Sequence, residues 1–282
     1  MISIRDGVPA DLRNPHPAAC GKGCSDQQGD VMGLAFAPQQ TIRNEILAGL
    51  SADDLAELRP HLTRVRLVPG QVLIEPEQPI EHVFFVEEGM VSMIVECGTS
   101  RAAAQVAMIG REGMVGCLAM LATDAVSGAS AVSQIQGIAV RMKVAELMRF
   151  TTERPALRAL CLGYVQTLMQ QTMQTAASNA QNTLAERCIR WLLMAHDRID
   201  GDELPITHEA LSVVLGVRRA SVTVVVCSLH DQGLIRAGRG RITIIDRVGL
   251  EQIAGSRGWH GTPPAHDGLL PVPQPVSHRA TG

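Results

Sequence analysis

The segment Pro205–Asp246, PITHEALSVVLGVRRASVTVVVCSLHDQGLIRAGRGRITIID, constrains this chain more than any other. Its spacing predicts two short helices across a glycine turn, followed by an arginine-rich hairpin. Thr207 is placed to N-cap the first helix, its hydroxyl accepting from a free N–H of the opening turn. Glu209 sits in that turn, where the helix dipole favours negative charge. Ala210 at the third position rules out a full capping box. Leu211 and Leu215 share a face, Ser212 is small where a second helix must cross, and Gly216 supplies the backbone freedom that ends the helix. Val217 is placed to fill the space between the helices. The second helix is expected over Arg218–Asp231, with Val222, Val225, Val226 and Leu229 as its apolar stripe. Ile242, Ile244 and Ile245 are strand formers beside the turn Gly238-Arg239-Gly240. This is the pattern of a winged helix-turn-helix, whose second helix enters the DNA major groove by its N-terminal end.

The charge agrees. Five arginines and a single acid, Asp231, lie between Arg218 and Arg241, in a chain whose net charge is −3. A basic patch on a mildly acidic protein is a localised phosphate-binding face. The expected DNA-contacting set is Thr207, Arg218, Arg219, Ser221, Thr223, Arg239 and Arg241, and the expected partner is double-stranded DNA. Aromatic residues make up 2% of the chain, too few for the stacking platforms of single-strand binding. No apolar run approaches membrane-spanning length, and the N-terminal residues lack a signal-peptide core. A cytoplasmic location without a membrane partner is expected.

The rest divides by texture. Residues 1–38 are rich in Gly, Pro, Asp and Gln without periodicity and read as a flexible tail. Short helices are expected over 39–60, with Ser51 as an N-cap and Leu55 and Leu58 inward. From Thr63 to Val144, alternating apolar runs and closely spaced turn signals predict an antiparallel barrel or jelly roll. With the helical segments, the fold class is α+β. The sensor domain is assigned to 39–151. From 152 to 181 the pattern is helical, and Leu157, Cys161, Tyr164 and Leu168 alternate four and three apart, continued by Thr172 and Thr175. That is a coiled-coil seam, read as a homodimer interface, with Ser178–Asn182 as a hinge. The DNA-binding domain is assigned to 182–258, opening on a helix with Leu184, Cys188, Trp191 and Leu192 inward. Residues 259–282 read as a disordered tail.

Barrel, long helix, winged helix-turn-helix: this order resembles the Crp/Fnr family of bacterial transcription regulators. Three blocks carry the resemblance. PGQVLIEPEQPIEHVFFVEEGMVSM is similar to the opening hairpins of the family's cyclic-nucleotide-binding-type β-roll. GREGMVGCLAML is similar to its Gly-rich turn and short helix, and LGVRRASVTVVVCSLHDQGLI to its recognition helix. The resemblance implies a homodimer on a near-palindromic promoter site, a small-molecule effector sensed in the β-roll, and RNA polymerase as a further partner. It also implies that Arg219 reads guanine, an Arg being bidentate to O6 and N7. Ala220 replaces a Glu frequent there, and Val224 replaces a second Arg of some members. In cyclic-AMP-responsive members a Glu holds the ribose and an Arg about ten residues on meets the phosphate. Here Cys117, after Gly116, takes the Glu position, and Ser127 or Ala129 the Arg position. No Lys or Arg occurs between Glu112 and Val140. A buried phosphate without a cationic partner is costly, so this effector pocket is degenerate for cyclic AMP. Glu77 stands where a turn Gly is usual, so that hairpin is expected to be distorted or differently closed.

Other chemistry is thinly supported. Cys20 and Cys24 could supply two thiolates to an iron–sulfur cluster, which needs four, and no cofactor is expected. Cys161, Cys188 and Cys227 fall on apolar helical faces. His61, His82, His196, His208 and His230 are scattered, and no metal is assigned. No nucleophile–base pair, metal motif or phosphate loop points to an enzyme. Two function classes follow: an allosteric one-component transcription regulator, or a constitutive DNA-binding repressor or architectural protein whose β-roll senses nothing.

Overall fold

The computed structural model describes residues 33–34, 42–97, 102–122 and 124–255. The β-rich stretch closes as a roll. Its strands are β1 (Gly33–Leu34), β2 (Thr63–Leu67), β3 (Val72–Ile74), β4 (His82–Cys97), β5 (Ala102–Ile109), β6 (Met114–Val115) and β7 (Ser130–Lys143). All belong to one antiparallel sheet with the path β1-β2-β7-β4-β5, β3 pairing with β7 and β6 with β4. The long strands β4 and β7 bulge between Val86 and Val91. Gly89 (φ 81°) and Gly137 meet there, and a Cβ on Gly137 would overlap the Glu88 carbonyl. Only glycine admits that approach.

Two short helices, α1 (Glu45–Ala48) and α2 (Ala52–Leu58), lie between β1 and β2. Ser51 caps α2 by accepting from Asp54 N–H at 3.1 Å, and Leu58 is buried while Leu55 packs half-buried on the core. Asn44 caps α1 and does more. Its Nδ2 donates to the Val86 and Gly113 carbonyls at 2.9 and 2.8 Å, tying the N-terminal segment to the roll. Two expectations change here. Gly33–Leu34, inside the expected tail, pairs with Arg64 and Val65. Glu77 keeps the turn rather than distorting it: it adopts φ 59°, the left-handed conformation of the glycine it replaces, and its N–H bonds Ser127 O at 2.8 Å. The remainder of the expected tails, with Cys20 and Cys24, lies outside the described residues.

After the roll come α3 (Val144–Glu153), the long α4 (Pro155–Gln181) and α5 (Leu184–His196). Pro155 at the first turn of α4 needs no N–H partner, which explains the break at Arg154. The helix runs through Ser178 to Gln181, so the break falls at Asn182 and not across the expected hinge. Thr183 and Glu186 form a capping box that restarts the chain as α5.

The face of α4 expected to form the dimer seam is occupied within the protomer. Leu157, Cys161 and Tyr164 are 0–2% exposed in the roll's own core. Gly113 lies flat on the Tyr164 ring, where a Cβ would overlap it. Further along the same face, Gln171 clamps the edge strand β5: Met108 N–H donates to Oε1 at 2.6 Å and Nε2 donates to Met108 O at 3.1 Å. The seam periodicity was a core periodicity, because one helix stripe can bury against a sheet as well as against a second helix. Leu168 and Thr172 are half-buried against the roll. The Thr175 hydroxyl bonds Gln171 O at 2.8 Å and accepts from Arg190 at 3.4 Å.

Candidate nucleic-acid interface

The C-terminal domain adds β8 (Glu203–Leu204), α6 (His208–Leu215), α7 (Arg219–Asp231), β9 (Ile235–Gly238), β10 (Arg241–Ile244) and α8 (Arg247–Gly255). Thr207 caps α6, accepting from Ala210 N–H at 3.0 Å. Gly216 ends it at φ 64° with the paired bonds of a Schellman motif, Gly216 N–H to Val213 O and Val217 N–H to Ser212 O, both 3.0 Å. Helices α6 and α7 meet at 110°, within the range of helix-turn-helix pairs. Val222, Val226 and Leu229 are buried beneath α7 with Val225 and Val217 half-buried beside them. The hairpin β9–β10 is closed by Arg239 and Gly240, with β8 as a third strand that hydrophobic patterning had not indicated.

These elements bring the expected DNA-contacting residues to one end of the domain. Arg218, Arg219 and Ser221 are exposed in the first turn of α7, and Arg239 and Arg241 on the hairpin. Each cation's surroundings differ. Arg219 lies 3.5 Å from Glu209 and Arg241 3.2 Å from Glu203. Both pairs are exposed, and such contacts are weak and screened. Among the described residues no acid stands within ion-pair distance of Arg218, Arg236 or Arg239. Thr223 is oriented from two sides: its Oγ1 donates to Arg219 O at 3.1 Å, and His208 Nδ1 lies 3.1 Å from Thr223 Oγ1. Burial, and then the Arg219 charge, hold the His208 pKa below its ordinary 6.5. Patterning missed Val224. It is 70% exposed, opposite the buried stripe and beside Ala220 and Cys227; Cys227, expected on an apolar face with Cys161 and Cys188, is exposed on this side of α7 while those two are buried. A helical projection from the stripe alone would have found Val224.

The interface does not face open solvent throughout. Thr207, His208, Arg219 and Arg239 border a cleft of about 500 Å³ whose other wall is the roll's Pro69, Gly70 and Gln134. The domain is seated on the outer face of the roll. Met90, Met108 and Ile135 of the roll join the core beneath α5–α8. Trp191 Nε1 donates to Gln105 Oε1 at 3.0 Å, and Ser92 Oγ donates to the same oxygen at 3.1 Å. Arg198, its side chain 1% exposed, reaches Glu112 at 2.8 Å.

The degenerate effector residues also converge. Gly116, Cys117, Ser127 and Ala129 border a second cavity, of about 300 Å³, half-open between the roll and α4. Burial pushes the Cys117 thiol up to about 12, so it is neutral and unreactive there. Ser127 Oγ donates to Ala129 O at 2.6 Å.

A Crp-like helix-turn-helix domain model matches residues 186–253, and a cyclic nucleotide-binding domain model matches residues 64–154. The chain belongs to the Crp/Fnr family of transcriptional regulators. Its relatives include the global nitrogen regulator of Synechococcus elongatus, 26% identical over 65% of this chain and 86% of that protein. Among solved structures, a Crp/Fnr-family transcriptional regulator from Eubacterium rectale covers 75% of this chain and 98% of its own at TM-score 0.58 and 15% identity. FixK2 from Bradyrhizobium japonicum covers 68% and 96% at TM-score 0.58 and 16% identity. At such identities the structures speak for the fold. This Crp/Fnr chain is thus a DNA-binding transcription regulator. Among its described residues no single helix is long and apolar enough to cross a membrane. The most apolar pair, α6 and α7, is the helix-turn-helix itself.

Proposed function

We infer that this regulator binds a near-palindromic promoter site as a cytoplasmic homodimer, with one α7 in the major groove of each half-site. The exposed cationic first turn of α7 is the observation that carries this reading. Arg219, 68% exposed at its side chain and held only loosely by Glu209, is assigned to a guanine. The neighbouring Arg218 and Ser221 support it, and Arg239 and Arg241 contact flanking phosphates. The dimer face is the uncovered side of α4, where Met169 and Met173 are 56% and 61% exposed and the exposed Ala176 continues the spacing. Selection of bound duplexes from a random pool by the full-length protein tests the reading. An inverted-repeat consensus with a guanine lost on Arg219→Ala is expected; recovery of no consensus would sink it.

Regulation through the roll is favoured over a constitutive repressor by the cleft. With the domain docked, Pro69 and Gly70 stand across from Arg219 and Arg239, so a duplex needs that wall to withdraw. The pocket chemistry argues against cyclic AMP as the signal. Among the described residues, no cation borders the second cavity to offset a buried phosphate.

A further inference from the structure

The second cavity and the DNA-binding domain lie on opposite faces of the same two strands. On β4, Met93 and Val95 line the cavity, while Met90, Ser92 and Ile94 face the docked domain. On β5 a bulge resets the alternation: Met93 pairs with Ala107 but Ile94 with Gln105, leaving Val106 as the extra residue. Ile109 and Ala107 enter the cavity and Met108 faces the core beneath α5 by ordinary alternation; the bulge puts Val106 on the cavity side beside Ala107 and turns Gln105 outward to Trp191. Bulges re-aim side chains in this way. The same segment of β5 is gripped by Gln171 through both backbone atoms of Met108, and Leu168, about a turn before it on α4, and Thr172, the next residue, complete the cavity wall.

The wall chemistry defines what fits. Among the described lining residues none is charged. The two hydroxyls are spent internally, Ser127 on Ala129 O at 2.6 Å and Thr172 on Leu168 O at 2.9 Å, and the Cys117 thiol is buried. A charged or strongly hydrated ligand would lose its water for nothing in return; an apolar one gains by burial. At about 300 Å³ the space suits a molecule of one or two rings.

We propose that this cavity binds an uncharged, predominantly apolar small molecule, and that the bulged strand β5 carries its occupancy directly to the DNA-binding domain of the same protomer. The relay rests on the regulatory reading above; the ligand class rests on the cavity alone. The test uses the full-length Trp259→Phe protein, leaving Trp191 at the Gln105 contact as reporter, with N-phenyl-1-naphthylamine as an uncharged aromatic probe. Saturable binding near one per chain is expected, with a change in Trp191 emission and no displacement by millimolar cyclic AMP. Gly128 lines the cavity, and a Cβ there meets nothing within 4 Å. Gly128 is exposed at the rim, so Gly128→Phe should obstruct the cavity mouth without disturbing the fold and weaken the probe at least tenfold. If it lowers the melting temperature, Gly128→Leu serves in its place. Unchanged probe affinity in a folded cavity-obstructed variant, or displacement by cyclic AMP, overturns the ligand class. Cavity-dependent binding with neither a Trp191 response nor a change in affinity for the selected duplex overturns the relay. A chain that binds the probe as expected but no duplex at all upholds the ligand class and overturns the DNA-binding reading instead.

Discussion

Arg219 carries the largest share of sequence reading that one side chain can hold here. It projects from the first turn of α7, and its weak partner Glu209 is exposed, so little is lost when DNA displaces it. Arg219→Ala should weaken specific binding by about 1–3 kcal/mol and relax one position per half-site, measured by competition among single-base operator variants. Its neighbour His208 gives a pH prediction. Burial and the Arg219 charge lower its pKa below 6.5, so below pH 6.5 the unfolded chain binds more protons than the native one. Native stability then rises with pH through that range and the contribution is complete above it. His208→Gln should flatten the slope of unfolding free energy against pH below 6.5, followed by urea titration. Glu77 tests the backbone. An L-residue held left-handed costs about 1–2 kcal/mol, and part of that returns as glycine's extra unfolded-state entropy. Glu77→Gly should stabilise by about 0.5–1 kcal/mol, read as a higher urea midpoint at an unchanged slope.

At the scale of elements, α4 separates two roles that one periodicity cannot. Its inward stripe holds Leu157, Cys161 and Tyr164 in the roll core; its outward stripe leaves Met169 and Met173 uncovered. Leu157→Ala should cost about 2–5 kcal/mol of stability with the oligomeric state kept. Met169→Glu with Met173→Glu should leave each protomer folded but shift sedimentation to the monomer; a folded dimer would reject this face. Spacing alone showed that α4 has an apolar stripe, and nothing in it says whether a sheet or a second helix covers that stripe. The helix-turn-helix was legible because its determinants are local: the Thr207 cap, the Gly216 turn and the valine stripe each act within a few residues. The roll's strands were legible from alternation and turns. Its bulges, and hence which residues of β5 face the cavity, depend on pairing with β4 across the sheet and left no local trace. Gly116, Cys117, Ser127 and Ala129 border one cavity, and it is the resemblance, not a local signal, that puts them together. The seating of one domain on the other was invisible, since Gln105, Glu112 and Trp191 read as ordinary strand, loop and helix residues.

Across the whole molecule, the proposed regulation turns on the balance between docked and released DNA-binding domains. The strongest polar tie between the two is the Arg198–Glu112 pair, with the Arg198 side chain 1% and the Glu112 side chain 12% exposed. One guanidinium nitrogen of Arg198 already lacks a hydrogen-bond partner. Removing Glu112 would strand most of a buried charge, which typically costs about 3–5 kcal/mol. That cost falls on the docked arrangement, because a released domain exposes Arg198 to water. The exposed ties of Asp200 to Arg43 and Arg111 are of the kind worth less than about 1 kcal/mol. If docking places the roll's Pro69–Gly70 turn against the reading residues, Glu112→Ala should raise the fraction of DNA-competent protein. Apparent affinity then improves up to the limit set by full release, while Asp200→Ala changes it little. Fluorescence anisotropy on the selected duplex, with hydrogen exchange on Met90–Ile94 reporting release, decides it. Faster exchange of those amides together with weaker DNA binding would mean that the docked face supports the reading head rather than restraining it.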